Sequence, residues 1–169
     1  LDALVLPGIS DGIPPVIESV QLLDEQWNAI ETQNAAGRII INRKTRVVVR
    51  AYDRKDGNTE RRRLAPYQIA MDVIPAGATM PPDGDWNISF ELMPLREAVK
   101  FVYAPGSRSG ATGDTIFNFI ASNKVDGEIM EEGFIDPVTL SAGEYTLRVR
   151  AADFFGNVTV KEIWIEVIK

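Results

Sequence analysis

The chain has 169 residues, of which 45% are hydrophobic and 25% charged, and its formal net charge is −6. This composition is typical of a globular protein with one sizeable core, and the acidic balance argues against a nucleic-acid partner, since nucleic-acid-binding domains normally present a basic face. The sequence contains neither histidine nor cysteine, which excludes Ser-His-Asp and Cys-His catalysis and any zinc site that needs imidazole or thiolate.

Residues 1–15 come first and are predicted to be a linker, because three pairs of structure-breaking residues fall within them: Pro7-Gly8, Asp11-Gly12 and Pro14-Pro15. A single folded domain is expected over residues 16–169. No apolar run approaches the roughly 20 residues that cross a bilayer, so we expect no membrane insertion. The chain starts at Leu1 without a signal peptide, and we interpret it as a piece of a longer protein.

A first strand is predicted at Val16–Leu22, with Val16, Val20 and Leu22 on its apolar face. Residues 24–36 are the one candidate for a short helix. Further along, four runs alternate apolar and polar residues, as in antiparallel strands with one buried and one solvated face, and four other runs bring the count of strands to about nine. These strand-like runs are Arg38–Ile41, Thr45–Tyr52, Gln68–Val73, Trp86–Leu92, Val99–Tyr103, Thr115–Ser122, Glu144–Ala151 and Val158–Val167.

About nine short strands, separated by turns rich in glycine, proline and asparagine, predict an all-β antiparallel sandwich. The last strand changes the parity of its apolar residues between Val160 and Ile163, which predicts a β-bulge near Lys161-Glu162. The span from Lys55 to Gly143 is too long for the middle of a minimal seven-strand sandwich. We expect it to hold extra strands and long loops.

Two segments repeat one pattern: an alternating strand, a terminal aspartate and a Gly-Asn turn. They are Val49–Asp53 with Gly57-Asn58, and Val149–Asp153 with Gly156-Asn157. Turn chemistry explains the repeat, because aspartate accepts backbone N–H bonds in turns and glycine and asparagine tolerate positive φ. We therefore expect no metal and no cofactor. The alternative is a calcium site, since calcium takes oxygen ligands, and its candidate ligands are Asp53, Asp56, Asn58, Asp153 and Asn157.

The second repeat follows a Leu-x-x-Gly-x-Tyr motif formed by Leu140, Gly143 and Tyr145. This spacing is similar to the tyrosine corner of Greek-key sandwiches, in which the tyrosine hydroxyl bonds to backbone a few residues upstream. It would make Glu144–Ala151 the next-to-last strand of the sandwich. The alternative is an ordinary core tyrosine.

Three loop segments have a functional interpretation beside the simpler one of a solvated loop, which we favour. A basic run could meet an anionic polymer, a Gly-Ser stretch could cradle a phosphate, and an acidic cluster could supply paired carboxylates for glycoside hydrolysis. These segments are Arg61-Arg62-Arg63, Gly106–Gly110, and the group Glu128, Glu131, Glu132 and Asp136.

Two tryptophans are predicted to lie on opposite sides of the fold. Trp86 is in phase with Ile88 and is expected in the core. Trp164 lies between Ile163 and Ile165 and therefore on the opposite face, where it is the candidate contact for a sugar ring. Coverage of Trp164 by a neighbouring loop is the alternative.

Motifs at both ends of the chain carry a family resemblance: Pro14–Ile17 at the start, and Gly143–Asp153 with Gly156-Asn157 at the end. They resemble bacterial immunoglobulin-like or fibronectin-like modules. The middle, with Ala51–Asp53, Leu64–Tyr67 and Val102–Ser107, is similar to the domain that follows lysostaphin-type zinc peptidases in bacterial envelope proteins. The resemblance implies an immunoglobulin-like fold in the periplasm or at the cell surface. It implies no catalytic residue, because the chain has no histidine to hold that family's zinc.

The expected function is that of a non-catalytic accessory or structural module, attached to a cell-wall peptidase, whose partner is a neighbouring domain of the same polypeptide. The alternative is a carbohydrate- or cell-wall-binding module for adhesion, which would contact cell-wall glycan through Trp164 and the loops. An enzymatic role ranks last, since only carboxylate, lysine and tyrosine chemistry remains available.

Overall fold

A computed structural model describes residues 10–57, 63–79, 85–108 and 115–169. The strands in these ranges are β1 (Val16–Leu23), β2 (Ile39–Ile41), β3 (Arg46–Tyr52), β4 (Gln68–Pro75), β5 (Ile88–Ser89), β6 (Asn118–Ile120), β7 (Lys124–Asp126), β8 (Ile129–Glu131), β9 (Gly143–Ala152) and β10 (Val158–Val167). A 3₁₀ turn over Arg96–Ala98 leads into a short helix, α1 (Val99–Val102). No helix in the described ranges has the length and apolarity to cross a bilayer.

The protein is mostly β and has two sheets. The smaller sheet has the strand order β1-β3-β6, and the larger has the order β2-β10-β9-β4-β5-β7-β8. Both share one core, to which the inward-facing residues of β3 and β9 contribute most regularly: Val47, Val49, Ala51, Leu147, Val149 and Ala151. The alternation in these two strands predicted the burial of this face, but the opposite face, expected in solvent, is largely buried too, at Arg46, Val48, Arg148 and Arg150.

Several ladders differ from the expected antiparallel pattern. Strand β2 runs parallel to β10, with Ile39 opposite Ile165, and β5 runs parallel to β7. The chain passes from the smaller sheet at β1 to the larger one at β2. The run at Val99–Tyr103, predicted as a strand, instead contains α1, which buries Val102. A short apolar run does not distinguish a strand from a helical turn.

Residues 24–36, the one candidate for a short helix, do not form a helix. The Asp24 Oδ1 atom accepts the backbone N–H groups of Gln26 and Asn28, both at 2.9 Å, and Trp27 has a positive φ of 67°. These bonds form a tight turn that competes with a helix. The pKa of Asp24 lies below its ordinary value because Asn28 donates hydrogen bonds to the Asp24 carboxylate. The bond from the Asn28 side chain has the larger effect on this pKa and the bond from its backbone the smaller.

The first strand buries two of the three residues of its predicted apolar face: Leu22 lies in the core and Val20 packs against it, but Val16 is exposed. The pairing of β1 with β3 shifts register between Ile17 and Ser19. Ile17 therefore packs against the core together with Val20, whereas Val16 is exposed. A local register shift moves every preceding side chain to the other face of a strand.

The β-bulge predicted near Lys161-Glu162 is absent from β10, all of which is described. This strand pairs with β9 without a shift, from Val158 opposite Ala152 to Val167 opposite Gly143. The change of parity arises because Val158 and Val160 stay on the outer face of the sheet, where both are exposed.

Two arginines of β9 are buried on the outer face of the larger sheet. Arg148 donates to the Asp72 carboxylate on β4 from Nε at 3.0 Å and from Nη2 at 2.9 Å, and the Nε of Arg150 lies 3.5 Å from the same oxygen. The Arg150 guanidinium also lies over the Trp86 ring, 4.8 Å from its centroid. Trp86 is only half-buried, so its predicted place in the core is wrong: it covers a cation on the outer face.

The Tyr145 hydroxyl donates a 2.8 Å hydrogen bond to the Ser141 carbonyl, which is the bond that the Leu-x-x-Gly-x-Tyr spacing predicts. Leu140 packs beside it against the core, and Gly143 opens β9.

We expect Tyr145→Phe to keep the fold and to lower the melting temperature by about 2–4 °C, because a net hydrogen bond contributes about 1 kcal/mol to stability. Thermal unfolding followed by circular dichroism measures the change. Tyr103→Phe is the matched control, since the Tyr103 hydroxyl makes no hydrogen bond to a described residue. Equal melting shifts in the two variants would contradict a stabilising role for the Tyr145–Ser141 bond.

Candidate functional site

The two repeated segments end at the same end of the molecule. Strand β3 belongs to the smaller sheet and β9 to the larger, and both lead into an aspartate as they leave the core. These residues, Asp53 and Asp153, are 8% and 3% exposed. Burial of two carboxylates at the edge of an apolar core is costly without compensating contacts.

The second repeat forms the predicted turn. The Asp153 Oδ1 accepts the backbone N–H of Asn157 at 2.8 Å, and its Oδ2 accepts the Asn157 side-chain amide at 2.7 Å. Gly156 has a φ of 86°, in the region that favours glycine. Both oxygens of Asp153 are therefore held by one turn.

The residues that lead into β1 are fixed against this end of the domain. We call residues 10–15 the lead-in; they have no regular secondary structure. The Asp11 carbonyl accepts the Asn157 side-chain amide at 2.8 Å, and the Gly12 N–H donates to Asp56 Oδ2 at 2.9 Å. The Pro15 carbonyl accepts the hydroxyl of Thr159. The end of the predicted linker is thus part of the folded surface.

Asp11 brings a third carboxylate to the site. Oxygen atoms of Asp11, Asp53 and Asp153 lie within 4.8 Å of one another; we call these residues the aspartate cluster. Of the predicted candidates, Asp56 does not belong to the cluster but holds the lead-in, and Asn58 lies outside the described residues. Sequence reasoning missed Asp11, although Asp11-Gly12 is a turn signal, because nothing in the linker predicts where it docks.

The electrostatics of Asp53 differ from those of a surface carboxylate. Burial raises its pKa to about 6, a backbone hydrogen bond from Arg54 lowers it in part, and the charges of Asp153 and Asp11 raise it further. The Asp53 Oδ1 atom is buried and has no hydrogen-bond partner. The negative charge of this group is therefore poorly compensated by the chain itself.

An open pocket of about 440 Å³ lies beside the aspartate cluster. Its apolar wall contains an edge-to-face pair between Tyr67 and Phe154, with ring centroids 5.3 Å apart, and a second pair between Phe154 and Phe155 at 5.6 Å. Tyr103 also lines the pocket, and burial raises the pKa of its phenol. An apolar wall next to a few carboxylates is a common form of binding site.

The other predicted candidates do not converge on this pocket. Trp164 is 63% exposed on the outer face of β10, opposite Thr146 in the ladder. Within the basic run, Arg63 pairs with Glu18 at 3.0 Å, and Arg61 and Arg62 lie outside the described residues.

The acidic loop does not form a second carboxylate group. Asp136 caps a turn by accepting the N–H of Val138 at 2.9 Å, and Glu132 lies 3.8 Å from Arg46. In the described parts of the chain, the aspartate cluster is the one group of acidic side chains close enough to share an ion. The Gly-Ser stretch is described only as far as Arg108.

No protein-family model matches the sequence, and comparisons with curated proteins and with solved structures find no significant match.

Proposed function

We propose that this chain is an immunoglobulin-like sandwich module without catalytic activity, and that it serves as an accessory part of a larger bacterial protein outside the cytoplasm. Its role is to hold a neighbouring domain of the same polypeptide in a fixed position. The resemblance to the domain that follows lysostaphin-type zinc peptidases makes a cell-wall peptidase the neighbour that we propose.

The attachment of the lead-in is the observation that carries this proposal. Three of its residues bond to two separate parts of the domain: Asp11 and Pro15 to Asn157 and Thr159 at the start of β10, and Gly12 to Asp56 after β3. Consecutive prolines stiffen the segment further, because they restrict the backbone to extended conformations. The chain therefore enters the domain at a fixed point, which is what a module that positions an upstream neighbour requires.

The side-chain chemistry also supports an accessory role. The chain has no histidine or cysteine. Among the described residues, the aspartate cluster is the one group that resembles a reactive site, and no lysine or arginine pairs with it. General acid and base catalysis by carboxylates normally needs one group for each role, on opposite sides of a substrate bond, whereas these three face one another.

Clearing of a cell-wall suspension tests the proposal. We expect the purified chain, supplied with zinc, to leave the turbidity unchanged, and the longer protein with its upstream domain to clear it. In the longer protein, Asn157→Ala should slow clearing several-fold without lowering the zinc content, because it removes the bond to Asp11. Asn42→Ala is the control, since Asn42 is exposed. Clearing by the chain alone, or an unchanged rate in Asn157→Ala, would contradict the proposal.

A glycan-binding function is the second candidate, and the exposure of Trp164 favours it. The residue is 63% exposed, and an exposed indole ring can stack on a sugar face. Sedimentation of the chain with the same cell walls separates the two functions. If the chain sediments with the cell walls and Trp164→Ala does not, the result favours glycan recognition. If the chain does not sediment with the walls, the result favours the accessory role.

A further inference from the structure

The aspartate cluster brings three carboxylates together at the edge of the core, and two of them, Asp53 and Asp153, are buried. Asp11 comes from the lead-in, Asp53 from the end of β3 and Asp153 from the end of β9, and their oxygens lie within 4.8 Å of one another. None of the ion pairs among the described residues includes any of the three. Like charges at this spacing repel most strongly in a buried setting, so a bound cation would stabilise the arrangement.

Asp53 supplies a second, independent observation. The residue is only 8% exposed, and its Oδ1 atom is buried without a hydrogen-bond partner. Buried carboxylate oxygens in folded proteins are almost always hydrogen-bonded, paired or bound to a metal ion. Asp53 contributes an oxygen to the aspartate cluster, and a buried, unpartnered oxygen on the same carboxylate points to a positively charged ligand.

The remaining contacts hold the cluster in place. Asn157 fixes both oxygens of Asp153 and also the Asp11 carbonyl. The Asp11 Oδ1 atom accepts the N–H groups of Ile13 at 3.1 Å and Asp56 at 3.2 Å. The backbone of Asp53 is paired in both directions with Leu64, at 2.8 and 2.9 Å. Ligands that are fixed before an ion arrives lose little conformational entropy when it binds.

The donor set favours calcium among the common cations. All three groups offer hard carboxylate oxygens, whereas zinc prefers imidazole and thiolate ligands, which this sequence lacks. Calcium binds six to eight oxygens at roughly 2.3–2.6 Å and accepts irregular geometry, so a single ion can bridge oxygens at the spacing seen here. Magnesium requires a shorter and nearly octahedral arrangement and keeps most of its water.

We propose that Asp11, Asp53 and Asp153 bind one calcium ion, which joins the lead-in to the ends of both sheets. Turn chemistry, the interpretation favoured by the sequence, accounts for Asp153 and Asn157 but not for the unpartnered oxygen of Asp53 or for the approach of Asp11. Asn157 and Asp56, which the sequence offers as candidate ligands, position Asp153 and Asp11 instead. The site does not depend on the nature of any neighbouring domain.

Calorimetric titration and thermal unfolding of the chelator-treated chain test the site. We expect calcium chloride to bind with one-to-one stoichiometry and to raise the melting temperature by about 5–10 °C when free calcium is about 100 times its dissociation constant. Magnesium chloride at the same concentration should give a much smaller shift. An unchanged melting temperature with calcium would overturn the site, and equal shifts with both ions would overturn its assignment to calcium.

Asp53→Asn distinguishes loss of binding from loss of folding. It removes a like charge from the cluster, so the metal-free variant should melt at or above the wild-type temperature while its calcium-induced shift disappears. Asp11→Asn is a second variant, because the lead-in lies outside both sheets. Asp85→Asn is the matched control: it changes the same charge at an exposed residue and should keep the full shift. A calcium-induced shift that persists in Asp53→Asn and Asp11→Asn would overturn the proposal.

Discussion

Asp72→Asn should lower the free energy of unfolding by about 3 kcal/mol and the melting temperature by about 6–12 °C. The Asp72 carboxylate is the acceptor shared by Arg148 and Arg150, whose side chains are 8% and 1% exposed. Removing one partner from a buried charge network costs more than the pair contributes, because the remaining charges keep their desolvation penalty. The asparagine has nearly the same shape, so packing changes little.

Denaturant unfolding of a small series measures this effect. Glu131→Gln removes an exposed charge from β8 and should change stability by less than about 0.5 kcal/mol. In an Arg148→Met background, Asp72→Asn should cost clearly less than it does alone, because much of the interaction has already been removed. A cost that is the same in both backgrounds would mean that Asp72 stabilises the protein by some route other than Arg148.

Gly133→Ala should destabilise the fold by about 3 kcal/mol or more. A Cβ atom at this position would lie 1.9 Å from the Ser122 carbonyl oxygen, so two backbone segments would have to separate. Their contact is reinforced by Asn123, which accepts the Gly133 N–H at 3.0 Å and donates to the Phe101 carbonyl at 2.8 Å. Separation would therefore also disturb the attachment of α1.

Gly37→Ala is the control for Gly133→Ala. Gly37 has a φ of 76°, but a Cβ atom added there would meet no atom of a described residue within 4 Å. Alanine at this position therefore introduces only backbone strain, about 1 kcal/mol. The difference between the two melting temperatures isolates the steric contact at Gly133. If Gly133→Ala proves no more harmful than Gly37→Ala, the two segments can move apart at little cost.

The sequence predicted the core best in β3 and β9, where every inward-facing residue is apolar. Alternation in β3 and β9 identified inward residues such as Val49 and Val149. It failed at β1, where a register shift exposes Val16, and at β10, where Val160 remains in solvent. Alternation does not show which apolar residues a neighbouring segment will cover, so it could not distinguish an exposed valine from a β-bulge.

The aspartate cluster was predictable only in part, for a related reason. The repeated strand and turn pattern identified Asp53 and Asp153, because each follows a strand that enters the core. Asp11 lies in a segment without periodicity, and its approach depends on contacts with residues such as Asn157, far along the chain. Long-range contacts made by irregular segments leave no local pattern in a sequence.

The register shift in β1 also bears on whether molecules of this protein associate. Strand β1 is an edge of the smaller sheet and the longest edge strand described, whereas β2 and β8, the edges of the larger sheet, have three residues each. A long, regular edge is a template on which a strand of another molecule can form hydrogen bonds. The shift between Ile17 and Ser19 interrupts that template, and the charged Glu18 lies within it, held by Arg63. We therefore expect the register shift in β1 to disfavour pairing of this edge with a strand of another molecule.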